Sequence, residues 1–150
     1  MTTQEAVKNI TSLKKLGVAG VSRNRKKFGN AIYREMKKNG YEVYPINPHA
    51  EQIEGDTCYK DVASLPEVEG LIINTPAEQS LKILNDAKEN GISNVWLQMG
   101  AHNKETVKFC EENNMNYVAG ECIFMFMEPV ESYHKFHRWL WKVIGKYPKN

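Results

Sequence analysis

Apolar residues fall in two kinds of pattern along this chain. Short, nearly unbroken runs recur between polar stretches: LGVAGV (Leu16 to Val21), YEVYPIN (Tyr41 to Asn47), GLIINTP (Gly70 to Pro76), NVWLQM (Asn94 to Met99) and NYVAG (Asn116 to Gly120). Runs of this length predict strands covered on both faces, as in a parallel sheet. Between them the apolar positions return at helical spacing. Ile32, Tyr33 and Met36 mark the inward side of a helix from near Asn30 to Asn39, and Ala77, Leu81, Leu84 and Ala87 mark that of another. The second has a clear start, with Thr75 as N-cap, Pro76 at the first position and Glu78 three residues after the cap. Asn103 caps a helix to about Asn114, and Thr2 with Glu5 forms a capping box over QEAVKNITSL.

The stretches KKNGYEVYPI, KENGISNVWLQ and EENNMNYVAG echo one another. Each ends a helix in Asn or Gly, which tolerate the left-handed cap, and enters a strand at once. Strands alternating with helices on short links predict an α/β, Rossmann-like, doubly wound sheet of five parallel strands, with helices on both faces and a core over about residues 16–122. Ligands of such sheets sit beyond the carboxyl ends of the strands, where the strand order reverses. Five segments should therefore converge on one crevice: 22–29, 47–49, 74–77, 100–103 and 121–122.

At 150 residues the chain suits one domain over 1–150, with a formal net charge of +2. That charge is too slight to attract nucleic acid in bulk, so anion binding has to come from local clusters. Three cysteines, Cys58, Cys110 and Cys122, form no C-x-x-C pair and indicate neither a disulfide framework nor a zinc site, consistent with a reducing cytoplasm. The first residues lack the apolar stretch of a signal peptide, and no run approaches the roughly 18 apolar residues of a membrane span.

The stretch GVAGVSRNRKKFGN (Gly17 to Asn30) begins like a dinucleotide turn, but G-x-G-x-x-G is absent and Arg23, Arg25, Lys26 and Lys27 fill the turn instead. Gly20 and Gly29 can bring backbone close to a ligand, Ser22 offers a hydroxyl, and the helix N-terminus just beyond offers free N–H groups and the positive end of its dipole. Against this stands the plain reading of a solvated charged loop and a close-packing glycine. After the second strand, where an NAD enzyme usually carries Asp or Glu for the ribose diol, the chain has Asn47, Pro48 and His49. Pro45 and Pro48 can wall an adenine slot, or simply end the strand and turn the chain.

No catalytic constellation stands out. Gly20-Val21-Ser22-Arg23-Asn24 fails the G-x-S-x-G pattern, no P-loop or H-E-x-x-H occurs, and His102 at the binding edge has no evident partner.

The stretches AGVS, GYEVYPINP, NVWLQMGAHN and the late EC resemble the stand-alone CoA-binding proteins of Rossmann type, which are similar to the CoA-binding domain of the succinyl-CoA synthetase α subunit. The resemblance covers roughly Leu16 to Cys122 and is most specific at Gly40 to Pro48 and Trp96 to Gly100. It implies that Gly20, Ser22 and Arg23, within a cationic turn that includes Lys27, hold CoA phosphates. It implies further that Asn47 and Pro48 border the adenosine, and that Asn74, Thr75 and Pro76 lie near the ligand. CoA carries a pyrophosphate and a separate 3′-phosphate, which suits a turn rich in Arg and Lys. The chain departs from the family pattern at NRKKF, at Glu121 in place of a basic residue, and at Ile123 in place of proline. The pantetheine arm is expected to run toward Cys122, itself read first as a small buried residue.

The function expected is therefore binding of CoA or an acyl-CoA, a small nucleotide ligand, without catalysis. The alternatives are an NADP-dependent reductase and an interaction protein with a vestigial nucleotide site. The tail from Glu128 carries Val130, Tyr133, His137, Leu140 and Ile144 on one helical stripe and Trp139 and Trp141 off it. This predicts a C-terminal helix over about 130–145. Packing on its own domain is preferred to a homodimer contact, and both to a membrane surface.

Overall fold

Along each main strand, successive side chains leave on opposite faces of one sheet, and both faces are covered. The computed structural model describes residues 3–126. The element order is α1 (Thr3–Thr11), β1 (Lys15–Ala19), α2 (Phe28–Lys38), β2 (Glu42–Ile46), β3 (Gln52–Ile53), β4 (Asp56–Thr57), β5 (Gly70–Ile73), α3 (Ala77–Glu89), β6 (Asn94–Leu97), α4 (Lys104–Glu112) and β7 (Asn116–Ala119), with 3-10 turns at Val62–Ser64 and Ile123–Met125. Five parallel strands form the main sheet in the order β2-β1-β5-β6-β7. The sheet is the doubly wound α/β arrangement expected, and its order reverses between β1 and β5.

Leu16, Val18, Ile72, Trp96 and Val118 face α1 and α2, whose Ile10, Ile32, Tyr33 and Met36 close over them. Leu71, Ile73, Val95 and Leu97 face α3 and α4 through Leu84, Ala87 and Cys110. Each large side chain so buried contributes about 1.5–3 kcal/mol relative to exposure, which explains why the strands read as continuous apolar runs. Gly17 has no room for a side chain, because a β-carbon there would meet Leu71 Cδ2 at 2.8 Å and Leu65 Cδ1 at 3.0 Å.

The echoed helix ends share one geometry. Gly40, Gly91 and Asn114 have φ of 91°, 74° and 54°. In each case the following N–H reaches back to the helix, Tyr41 to Met36, Ile92 to Ala87 and Met115 to Cys110. These are Schellman closures, which drop the chain directly into the next strand. Asn103 caps α4 as expected, its Oδ1 accepting from Thr106 N at 2.9 Å.

Two local features differ from the sequence pattern. The link before β5 contains a short antiparallel hairpin, β3 with β4, turned by Glu54 and Gly55 at φ of 53° and 78°. Two-residue strands are too short to show a hydrophobic period, and glutamate is an unusual left-handed residue. On α3, the buried positions are Ser80, Leu84 and Ala87, while Ala77 and Leu81 are only half-buried. Thr2 and the tail helix, with its dimer contact, lie outside the described residues. Among the described residues no helix is long and apolar enough to cross a membrane.

Candidate functional site

The strand order reverses where β1 and β5 run side by side, with Ala19 opposite Ile73. The chain leaves β1 through Gly20, whose φ is 93°. Asn74, leaving β5, donates its N–H to the Ala19 carbonyl at 3.0 Å. A β-carbon on Gly20 would overlap the Asn74 backbone carbonyl, and one on Gly29, in the first turn of α2, would overlap the Gly20 carbonyl. The two glycines thus stack the start of α2 on the end of β1 and on the β5 loop. Their close approach is to protein backbone, and it fixes the helix N-terminus at the switch point.

Residues between the two glycines form a stack of local turns. Ser22 Oγ accepts from Asn24 N at 3.0 Å, and Asn24 Oδ1 accepts from Lys26 N at 3.0 Å. Lys27 is the N-cap residue of α2 in extended conformation, and no side chain caps the helix. The N-terminal N–H groups therefore keep their capacity to meet an anion. Asn30, fully buried, clasps the other side of the loop. Its Oδ1 accepts from Ser22 N at 2.8 Å and its Nδ2 donates to Ser22 O at 2.6 Å.

The four cations of the turn are not equivalent. Arg25 donates Nε to Glu54 at 3.0 Å, and Arg34 donates to the same carboxylate at 2.8 Å. Burial of Glu54 opposes its ionisation, but hydrogen bonds from Arg25, Asn30 and Arg34 outweigh that and hold its pKa below the ordinary value. Arg23, Lys26 and Lys27 are exposed and make no ion pair among the described residues.

After β2, Asn47 Nδ2 donates to Val21 O at 2.9 Å, and its Oδ1 accepts from His49 N at 2.8 Å. One end of the amide thereby ties the β2 loop to the β1 loop, and the other closes a turn within the β2 loop. Pro48 lines a cavity of about 640 Å³ together with His49, Ala50, Cys58 and Lys60. After β5, Thr75 does not cap α3. The cap residue is Pro76, whose carbonyl accepts from Gln79 and Ser80 N–H groups. The Thr75 hydroxyl instead pairs with the buried Ser80 hydroxyl at 2.9 Å, since a hydroxyl held in the core needs a partner.

The remaining loops follow the same edge, with Gln98 N bonded to Ile73 O and Gly120 N to Leu97 O. All five segments therefore lie side by side at the carboxyl ends of the strands. Gln98, 1% exposed, accepts from Ile123 N at 2.8 Å and donates toward Cys122 Sγ at 3.8 Å. Trp96 donates its indole N–H to Glu121 O at 2.9 Å. These bonds strap residues 121–123 over the α2 face, where Phe124 meets the half-exposed Phe28 edge-on at 5.4 Å between centroids. Burial pushes the Cys122 thiol up, so it is held as the thiol. His102 is exposed and lies over Gly120. A separate cavity of about 690 Å³ along α4 and β7 has no lysine or arginine in its lining.

Of the candidate residues, Gly20, Ser22, Asn47 and Asn74 meet at the switch point, with Arg23 and Lys27 on the rim of the turn. Asn30, Glu54 and Gln98 join these residues in the structure, although none is a candidate ligand-binding residue by sequence. Asn30 is signalled as a polar residue on the inward side of an amphipathic helix and Gln98 as a polar residue within the Trp96 to Gly100 stretch, whereas Glu54 carries no such signal.

Residues 14–128 match the family model described as CoA binding domain. The chain belongs to that family. The chain is similar to proteins of two sizes. The α subunit of an ADP-forming acetate–CoA ligase from Pyrococcus furiosus is 27% identical over 120 residues, which cover 72% of this chain and 26% of the subunit. The chain thus spans about a quarter of that subunit's length. Protein YneT of Bacillus subtilis is 26% identical over 114 residues, covering 73% of this chain and 82% of that one. Among solved structures, a conserved hypothetical protein from Pyrococcus furiosus superposes with a TM-score of 0.71 at 35% identity, covering 73% of this chain and 96% of that one.

Proposed function

We propose that this CoA-binding domain holds CoA or an acyl-CoA at the β1–α2 turn and performs no chemistry on it. The observation that carries the reading is the uncapped N-terminus of α2 at the strand-order reversal, rimmed by Arg23, Lys26 and Lys27. An anion there gains backbone N–H donors, the helix dipole and exposed cations together. Two phosphate groups of one ligand can share these donors, one on the helix N-terminus and one on the rim. Asn47, standing where a carboxylate would take a ribose diol, has its amide committed to Val21 and His49, which favours CoA over NAD.

The non-catalytic part of the proposal rests on what the crevice presents. His102 is exposed, with no hydrogen-bond partner among the described residues, and the Cys122 thiol is buried and raised. Neither is set up as a base or a nucleophile.

Thermal unfolding with CoA, acetyl-CoA, dephospho-CoA, NADP and NAD tests the proposal. A ligand at about 100 times its dissociation constant adds about 2.7 kcal/mol to the stability of the folded state. CoA should raise the midpoint more than dephospho-CoA, and NAD should do little. A larger rise with NADP than with CoA would transfer the site to a nicotinamide enzyme. Recovery of CoA or acetyl-CoA unchanged after prolonged incubation is the expected outcome of the accompanying assay for turnover.

A further inference from the structure

Apart from the helical bonds that Lys27 O accepts from Asn30 and Ala31 N–H groups, the loop from Arg23 to Lys27 is tied to the rest of the protein through Arg25, whose side chain meets one carboxylate. Within the loop, the bonds from Asn24 N to Ser22 Oγ, from Lys26 N to Asn24 Oδ1 and from Lys27 N to Asn24 O are all local. Beyond it stands Glu54, at the tip of the β3–β4 hairpin, with its side chain 4% exposed. Its carboxylate takes Arg25 Nε at 3.0 and 3.3 Å and Arg34 at 2.8 Å, and it receives Asn30 Nδ2 at 3.4 Å. Arg34 also donates to the Arg25 carbonyl at 3.1 Å, so the loop backbone is held as well as its side chain. Asn30 in turn brackets both backbone groups of Ser22. Glu54 sits in left-handed backbone, at φ 53°, a position that favours glycine. A buried carboxylate at a strained position beside a cationic turn has no purpose in the sheet itself.

We infer that Glu54 is a positioning residue for the anion turn: through Arg25, Arg34 and Asn30 it holds residues 22–27 in the shape that presents the α2 N-terminus and the rim cations to a ligand. This rests on the reading of the turn as a CoA site. Without the carboxylate, Arg25 and Arg34 become neighbouring cations with nothing between them. The loop then has to be ordered when the ligand binds, at a cost in affinity.

The sign of one substitution separates this role from bulk charge. Glu54→Gln removes a negative charge next to a site for phosphates, and by Coulomb's law alone it would tighten CoA. Loss of positioning predicts the reverse, an affinity lower by about tenfold in calorimetry. It also predicts faster amide hydrogen exchange over residues 22–29, in the absence of ligand. Glu54→Gly is the second variant, because it removes the carboxylate while relieving the left-handed backbone and so protects the fold. In an Arg25→Ala background, Glu54→Gln should lose part of its effect, as expected of residues acting through one another.

Weaker CoA binding with faster exchange in both variants supports the inference. Unchanged or tighter binding by folded variants overturns it, as does unchanged exchange. Should the wild-type protein bind no CoA, the proposed function falls by itself, and the loop-fastening role of Glu54 is then decided by the exchange measurement alone.

Discussion

Gly20 lies against the backbone carbonyl of Asn74 so closely that no β-carbon fits between them. The contact joins the ends of two strands that are neighbours in the sheet and far apart in the chain. Gly20 also has φ of 93°, so a side chain there meets two independent penalties. Gly20→Ala should cost about 2–4 kcal/mol of stability, from left-handed strain together with overpacking against backbone that cannot swing aside. Chemical denaturation of the variant without ligand measures it. A loss of CoA affinity with stability intact would mean that the glycine is kept for the ligand and not for the packing.

Arg23 and Arg25 are two residues apart and should behave differently. Arg23 is exposed and forms no ion pair among the described residues, so Arg23→Ala should leave the melting temperature of the free protein unchanged. It should weaken CoA by about tenfold or more, since a charged hydrogen bond to phosphate contributes roughly 1.5–3 kcal/mol. The difference should shrink with added salt. Arg25→Ala removes a ligand of Glu54 and should lower the melting temperature before any CoA is added. Calorimetry and thermal unfolding on the two variants, side by side, give both readouts.

The acid limb of stability should carry the signature of Glu54. Burial opposes its ionisation, yet the bonds from Arg25, Asn30 and Arg34 hold its folded pKa below the ordinary 4.5. A carboxyl with a depressed folded value stabilises the protein fully above its unfolded value. That contribution is lost as the pH falls through the folded one. Wild-type protein should therefore be more stable than Glu54→Gln above pH 4.5, and the two unfolding curves should converge below it. Parallel curves across that range would show that Glu54 titrates in the folded protein as it does in the unfolded chain.

All three cysteines are buried, and burial raises each thiol, Cys110 to about 12. At about pH 8 a disulfide reagent should modify none of them promptly in the native protein, and all three once the chain is unfolded. Prompt reaction of Cys122 in the native state would open the 121–123 strap and return that thiol to the crevice.

Much of the fold is legible in the sequence because its signals are local. The five apolar runs, the three helix ends closing at Gly40, Gly91 and Asn114, and the Asn103 cap each depend on residues within about two turns of one another, so one segment carries the whole instruction. The parallel order follows, since strands linked by helices have few other ways to pair. The site is legible only as a place. That Thr75 pairs with Ser80 and leaves the cap to Pro76 depended on which α3 residue the core would bury. That Asn47 is used up by Val21 and His49, and that Asn30 clasps Ser22, depended on where the loops cross. Glu54 was the least legible, being an acid in a polar link whose partners, Arg25 and Arg34, come from another part of the chain. A charge run in sequence does not distinguish cations that are taken from cations that remain for a ligand, because pairing is set by distance in space. Only the tertiary structure brings the hairpin tip to the turn, and so pairs Arg25 while Arg23, Lys26 and Lys27 make no ion pair among the described residues.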